Sequence, residues 1–160
     1  MGIERGMGLE YGNGGRLSNH GFCIRKGRAN MAKTFRQMVA EARSEVTVLS
    51  PQDAQQRMQQ GNTVVVDVRE PTDLNPLGII PGAMNVPLGV LPLRADQELP
   101  EHLREPKLQD RDQQVITTCG GGGQAALAAK LLKDMGFNNV AMIDGGTTGW
   151  KNAGLPVNQA

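Results

Sequence analysis

Aromatic side chains are scarce in this chain of 160 residues: three Phe, one Tyr and one Trp. That argues against a site that stacks nucleic-acid bases or grips proline-rich peptides. Net charge is only +1, so no strong field toward nucleic acid or membrane is implied. No apolar run is long enough to cross a membrane. No basic start runs into an apolar segment, so no secretory signal is expected. There are two cysteines, Cys23 and Cys119, far apart in sequence. Cys23 lies in a segment that does not read as folded, which makes it a poor disulfide partner. The pattern reads as a reduced, cytoplasmic protein.

What is present divides the chain in two. Residues 1–30 hold eight glycines and almost no apolar periodicity, and read as a disordered N-terminal tail. They also hold Arg5, Arg16, Arg25, Lys26 and Arg28 against Glu4 and Glu10, whereas the remaining 130 residues are net −2. Basic character therefore belongs to the tail. Two readings of it stand: Met31 is the natural first residue, or the segment is an Arg-bearing targeting peptide. The lack of Ser richness and amphipathic spacing favours the first. Residues 31–160 are enough for one α/β domain with its own core.

Within that domain, helical and extended patterns alternate. A helix is expected over Ala32–Arg43 and a short edge strand over Val46–Leu49. Ser50, Pro51 and Asp53 then start a helix that runs to Gln60 and stops at Gly61. Thr63–Val66 is a continuous apolar run leading into Asp67, as in a strand buried on both faces. Pro71, Asn75-Pro76, Gly78 and Pro81-Gly82 mark irregular chain. Ala83–Val86 reads as a short strand, and the polar residues 92–112 as surface helices and loops. Gln114–Thr118 is a strand and Gln124–Met135 a strong helix, with Leu127, Leu131 and Met135 on one stripe and Ala128 and Leu132 beside it. Asn139–Ile143 is the last strand, Asp144-Gly145-Gly146 a turn, and Thr147–Asn152 a short helix. The expected fold is α/β: a mainly parallel central sheet with helices on both faces.

The chemistry concentrates between strand Gln114–Thr118 and the helix after it. Cys119 ends the strand, and Gly120, Gly121, Gly122 and Gly123 make the turn. Glycines let the backbone fold tightly and aim several N–H groups at one point. The helix N-terminus adds unpaired N–H groups and positive partial charge. Such a place favours an anion, and an ionised Cys119 is one, which makes it a nucleophile. The carboxyl end of a strand is also where open α/β sheets bind ligands. The plainer alternative is a Cys that is merely a small buried hydrophobe followed by a flexible loop. The helix behind the loop tips the balance toward the nucleophile. A nucleotide-binding P-loop is excluded, because the Gly-Lys-Ser/Thr ending is missing.

Asp67-Val68-Arg69-Glu70-Pro71, Ile80-Pro81-Gly82-Ala83-Met84-Asn85-Val86-Pro87, Cys119 before a helix, Asp144-Gly145-Gly146, Trp150 and Gly154-Leu155-Pro156 follow one another in this order. Taken together, residues 46–157 resemble the rhodanese (sulfurtransferase) family. The resemblance implies a parallel sheet of about five strands with helices on both sides. It also implies a catalytic Cys119 that takes sulfane sulfur from a donor and passes it on from a persulfide. Gly120, Gly121, Gly122, Gly123 and Gln124 would bind the substrate, with Asp67 and Arg69 in supporting positions. No metal or cofactor is called for. The partners implied are a small-molecule sulfur donor and a thiol or cyanide acceptor, or a sulfur-accepting protein, with no nucleic acid and no membrane.

The chain departs from the family pattern at several positions. Where the family loop carries Arg and then Ser or Thr, this chain has Gln124 and Ala125. Ile79 stands for the usual His, and Thr147 for the usual aromatic residue. Charge-assisted bonds are roughly twice as strong as neutral ones, so Gln124 leaves the loop electrostatically weaker. Two other functions stand beside sulfur transfer, and the loss of the loop Arg supports only the first. One is a non-catalytic binding or redox-sensing module. The other is a phosphatase or arsenate reductase of the related fold, which is weaker because that chemistry needs a loop Arg. Asp67 and Arg69 are expected to order the loop after their strand rather than to line the site. His102 is expected on the surface, and Trp150 as the anchor of the last helix.

Overall fold

A computed structural model describes residues 32–160. The tail expectations, Cys23 among them, lie outside the described residues. The first helix, α1 (Phe35–Glu45), starts later than the hydrophobic pattern suggests because Thr34 caps it. The Thr34 hydroxyl accepts from the Gln37 N–H and the Gln37 side chain accepts from the Thr34 N–H. Such a reciprocal cap is worth about 0.5–2 kcal/mol. Strand β1 (Thr47–Leu49) follows, and Ser50 then caps α2 (Pro51–Gln59), with Pro51 in its first turn. Strand β2 (Thr63–Asp67) leads through irregular chain to the two-residue β3 (Met84–Asn85). Helix α3 (Leu91–Ala95) and two 3-10 turns lead to β4 (Gln114–Thr118), α4 (Gly123–Asp134), β5 (Asn139–Ile143) and α5 (Gly146–Asn152).

The five strands are all parallel, in the order β1-β5-β4-β2-β3. β4 is therefore central, and Val115 and Ile116 are fully buried on opposite faces. On one face Val115, Val66 and Met142 pack against Ala42 of α1, Leu91 and Ala95 of α3, and the alanines of α4. On the other face Ile116, Val65 and Ile143 pack against Ala54 of α2 and Trp150 of α5. The Trp150 indole N–H donates to the Pro156 carbonyl at 2.8 Å and so holds the C-terminal segment. Among the described residues no helix is long and apolar enough to cross a membrane.

Two expectations are corrected. The buried face of α4 is not the Leu127–Leu131–Met135 stripe, whose members are only partly buried. It is Ala125, Ala126, Ala128, Ala129 and Leu132. α4 is wedged between the sheet and α1, and small side chains let it approach closely; the larger residues line an open groove instead. The segment 92–112 is also not wholly superficial, because Ala95 and Leu108 are fully buried in the core.

Candidate functional site

Cys119 lies at the carboxyl end of the central strand and is 3% exposed. Its Sγ accepts N–H groups from Gly122 at 3.1 Å and Ala125 at 3.4 Å. A helix N-cap side chain ordinarily accepts from the second or third helical N–H. Gly122 is the residue at the cap of α4 and has no side chain to do this; the sulfur of Cys119 takes over the third N–H, that of Ala125. The thiol therefore sits at the positive end of a 12-residue helix. Gly122 reaches this shape with φ +94°, a region that L side chains rarely adopt.

The loop is held from behind by α5. The N–H of Thr147 donates to the Cys119 carbonyl at 2.7 Å, and the N–H of Thr148 to the Gly120 carbonyl at 3.0 Å. This contact requires glycine at 146. A Cβ there would fall against the Cys119 carbonyl oxygen and within 2.9 Å of the Gly122 nitrogen. The hydroxyl of Thr117 donates to the Ala125 carbonyl at 2.9 Å and ties α4 to β4. Among the described residues, the N–H groups of Gly120, Gly121, Gly123 and Gln124 have no hydrogen-bond partner. They remain available to an anion bound beside the sulfur.

Gly120, Gly121, Gly122, Gly123 and Gln124 all line one pocket of about 460 Å³ with Cys119. Gln124 is exposed, and its amide makes no hydrogen bond among the described residues. Asp67 and Arg69 do not line this pocket. Both are buried, and Arg69 donates to the Asp67 carboxylate through Nε at 2.9 Å and Nη2 at 2.6 Å. The same guanidinium donates to the carbonyls of Asp73 at 3.2 Å and Gly78 at 2.7 Å. The pair thus ties together the irregular chain that follows β2. His102 is exposed and does not line this pocket.

Sequence reasoning missed the contribution of α1. Phe35, Val39 and Arg43, every fourth residue on one helical face, line the same pocket. The spacing was visible in the sequence, but nothing there brings α1 to the Cys119 loop.

The profile of the rhodanese-like domain matches residues 50–153. A putative thiosulfate sulfurtransferase of Synechococcus elongatus is 33% identical over 134 residues, covering 74% of this chain and 41% of that protein. A tRNA uridine(34) hydroxylase of Shouchella clausii is 33% identical over 98 residues, covering 61% of this chain and 29% of that protein. The chain thus spans less than half the length of these relatives. Among solved structures, the polysulfide-sulfur transferase homodimer of Wolinella succinogenes aligns with a TM-score of 0.62 at 29% identity, covering 79% of this chain and 88% of that one. A Rhodopseudomonas palustris protein of unknown function, described as a possible tyrosine phosphatase, aligns with a TM-score of 0.73 at 32% identity, covering 82% and 98%. With the profile spanning most of the domain and the sheet order and Cys119 loop in place, the chain belongs to the rhodanese-like domain family.

Proposed function

We propose that this protein is a sulfurtransferase that carries sulfane sulfur as a persulfide on Cys119. The observation that carries this reading is the Cys119 sulfur at the N-terminus of α4, held by two N–H groups with four more unpartnered around it. With thiosulfate as donor, the Cys119 thiolate attacks the outer sulfur. A new S–S bond forms, the donor S–S bond breaks, and its electron pair leaves with sulfite. The loop N–H groups then face the terminal sulfur of the persulfide anion, where they stabilise charge without reorganising. Cyanide or an acceptor thiolate attacks that sulfur in turn and releases the Cys119 thiolate. Small-molecule donors and thiol, cyanide or protein acceptors fit this chemistry, and so does a reducing, cytoplasmic setting.

The likeness to a possible tyrosine phosphatase raises a second reading. The phosphatase chemistry calls for an Arg on the loop itself, at the start of the helix, and that position is occupied by the uncharged Gln124. The test is one enzyme preparation assayed for thiosulfate:cyanide transfer and for aryl-phosphate hydrolysis. Transfer without hydrolysis is expected; hydrolysis without transfer would overturn the proposal.

The missing loop charge gives a further prediction. A cation at the mouth of α4, also making a charge-assisted hydrogen bond, is worth about 1–3 kcal/mol, or roughly one to two decades in donor affinity. Gln124→Arg is therefore expected to raise thiosulfate:cyanide transfer at least several-fold. Steady-state rates of the two proteins check this, and equal rates would mean that the loop is not short of positive charge.

A further inference from the structure

We propose that Arg43, delivered by α1 from outside the Cys119 loop, is the residue that binds an anionic sulfur donor at the mouth of this site. The inference rests on the sulfurtransferase reading and adds its electrostatic component. Among the described residues lining the Cys119 pocket, Arg43 is the one charged side chain. α1 is seated directly on the loop: a Cβ added at Gly123 would come within 3.0 Å of the Phe35 ring and 3.6 Å of Val39. Arg43 follows on the same face, one turn beyond Val39.

Asp144 orients the guanidinium. Nη2 of Arg43 donates to Asp144 Oδ1 at 2.8 Å. Asp144 immediately precedes Gly145-Gly146, the turn from which the Thr147 and Thr148 N–H groups hold the loop carbonyls. The cation and the nucleophile are therefore fixed to one short stretch of backbone. Asp144 engages one nitrogen; among the described residues Nε and Nη1 of Arg43 have no partner. The side chain is 36% exposed, so an incoming ligand can reach it. An arginine keeps its charge at every relevant pH and presents a planar fork that suits sulfonate and carboxylate oxygens. Gln124 offers no charge at the loop itself; Arg43 brings a cation to the same pocket from α1.

The test compares alkylation of Cys119 by anionic iodoacetate and by neutral iodoacetamide, each read at the Cys119 peptide by mass spectrometry. Arg43→Gln is expected to lower the iodoacetate-to-iodoacetamide rate ratio several-fold, and Arg43→Lys to restore part of it. Lys107→Gln serves as control. It removes the same charge at the far end of the sheet, beside Thr63 at the start of β2 and Gln113 just before β4, and should leave the ratio unchanged. In steady-state transfer, Arg43→Gln is expected to raise KM for thiosulfate about tenfold with little change in kcat. Gln124→Arg should then give a larger gain in the Arg43→Gln background than in the parent. An unchanged ratio in Arg43→Gln, or an equal fall in Lys107→Gln, would overturn the assignment. Alkylation does not require sulfur transfer, so its result stands even if no donor forms a persulfide and the functional reading itself fails.

Discussion

Arg69→Met is expected to cost about 3–5 kcal/mol of folding stability. Domains of this kind hold only about 5–15 kcal/mol in all. Asp67 is 0% exposed and Arg69 3%, so neither charge can turn to water when its partner is removed. Met at position 69 would retain much of the side-chain volume. It would leave the Asp67 carboxylate in the core with only the Arg69 main-chain N–H and other local dipoles for company. The carbonyls of Asp73 and Gly78 would also lose their guanidinium donors. Replacing Asp67 by Leu in the same protein should recover part of the loss, because the uncompensated charge goes with it. Urea unfolding with an unchanged slope measures this. A loss of about 0–1 kcal/mol, typical of exposed ion pairs, would contradict the account of the loop after β2.

The second large effect is at the sulfur. Cys119→Ser is expected to abolish persulfide formation and transfer completely while the domain stays folded. A hydroxyl oxygen can accept the Gly122 and Ala125 N–H groups that the sulfur now accepts, so the cap of α4 survives. It cannot form a persulfide. A melting temperature near that of the parent, with no residual transfer, is the expected pair of results. Residual transfer in Cys119→Ser would place the sulfur carrier elsewhere in the chain.

Much of the fold was legible because local signals agreed. β4 is a β-branched stretch and β5 a largely apolar one, and both occupy the residues the sequence pattern marks. The α2 start was readable from Ser50, Pro51 and Asp53. The start of α1 was misplaced: helix propensity extends the helix back to Ala32, whereas the reciprocal cap of Thr34 and Gln37 starts it at Phe35. The face of α4 was not legible from pattern. Hydrophobicity ranks Leu127 and Leu131 above alanine, whereas the space between sheet and α1 admits only small side chains. Strand order is a long-range property: β1 pairs with β5, roughly a hundred residues later, and nothing local specifies that. The site divided in the same way. Cys119 and its glycines are contiguous and could be read directly, while Arg43 joins them only through the packing of α1 on Gly123.

The central claim is that Cys119 carries sulfur, and mass spectrometry of the Cys119 peptide tests it most directly. The native protein is exposed in turn to thiosulfate, polysulfide, glutathione persulfide and mercaptopyruvate, then to cyanide. The account predicts that Cys119 gains the mass of one sulfur atom with at least one donor, and that cyanide removes it. An unmodified Cys119 with all four donors would contradict the account and leave a rhodanese-like binding module in its place.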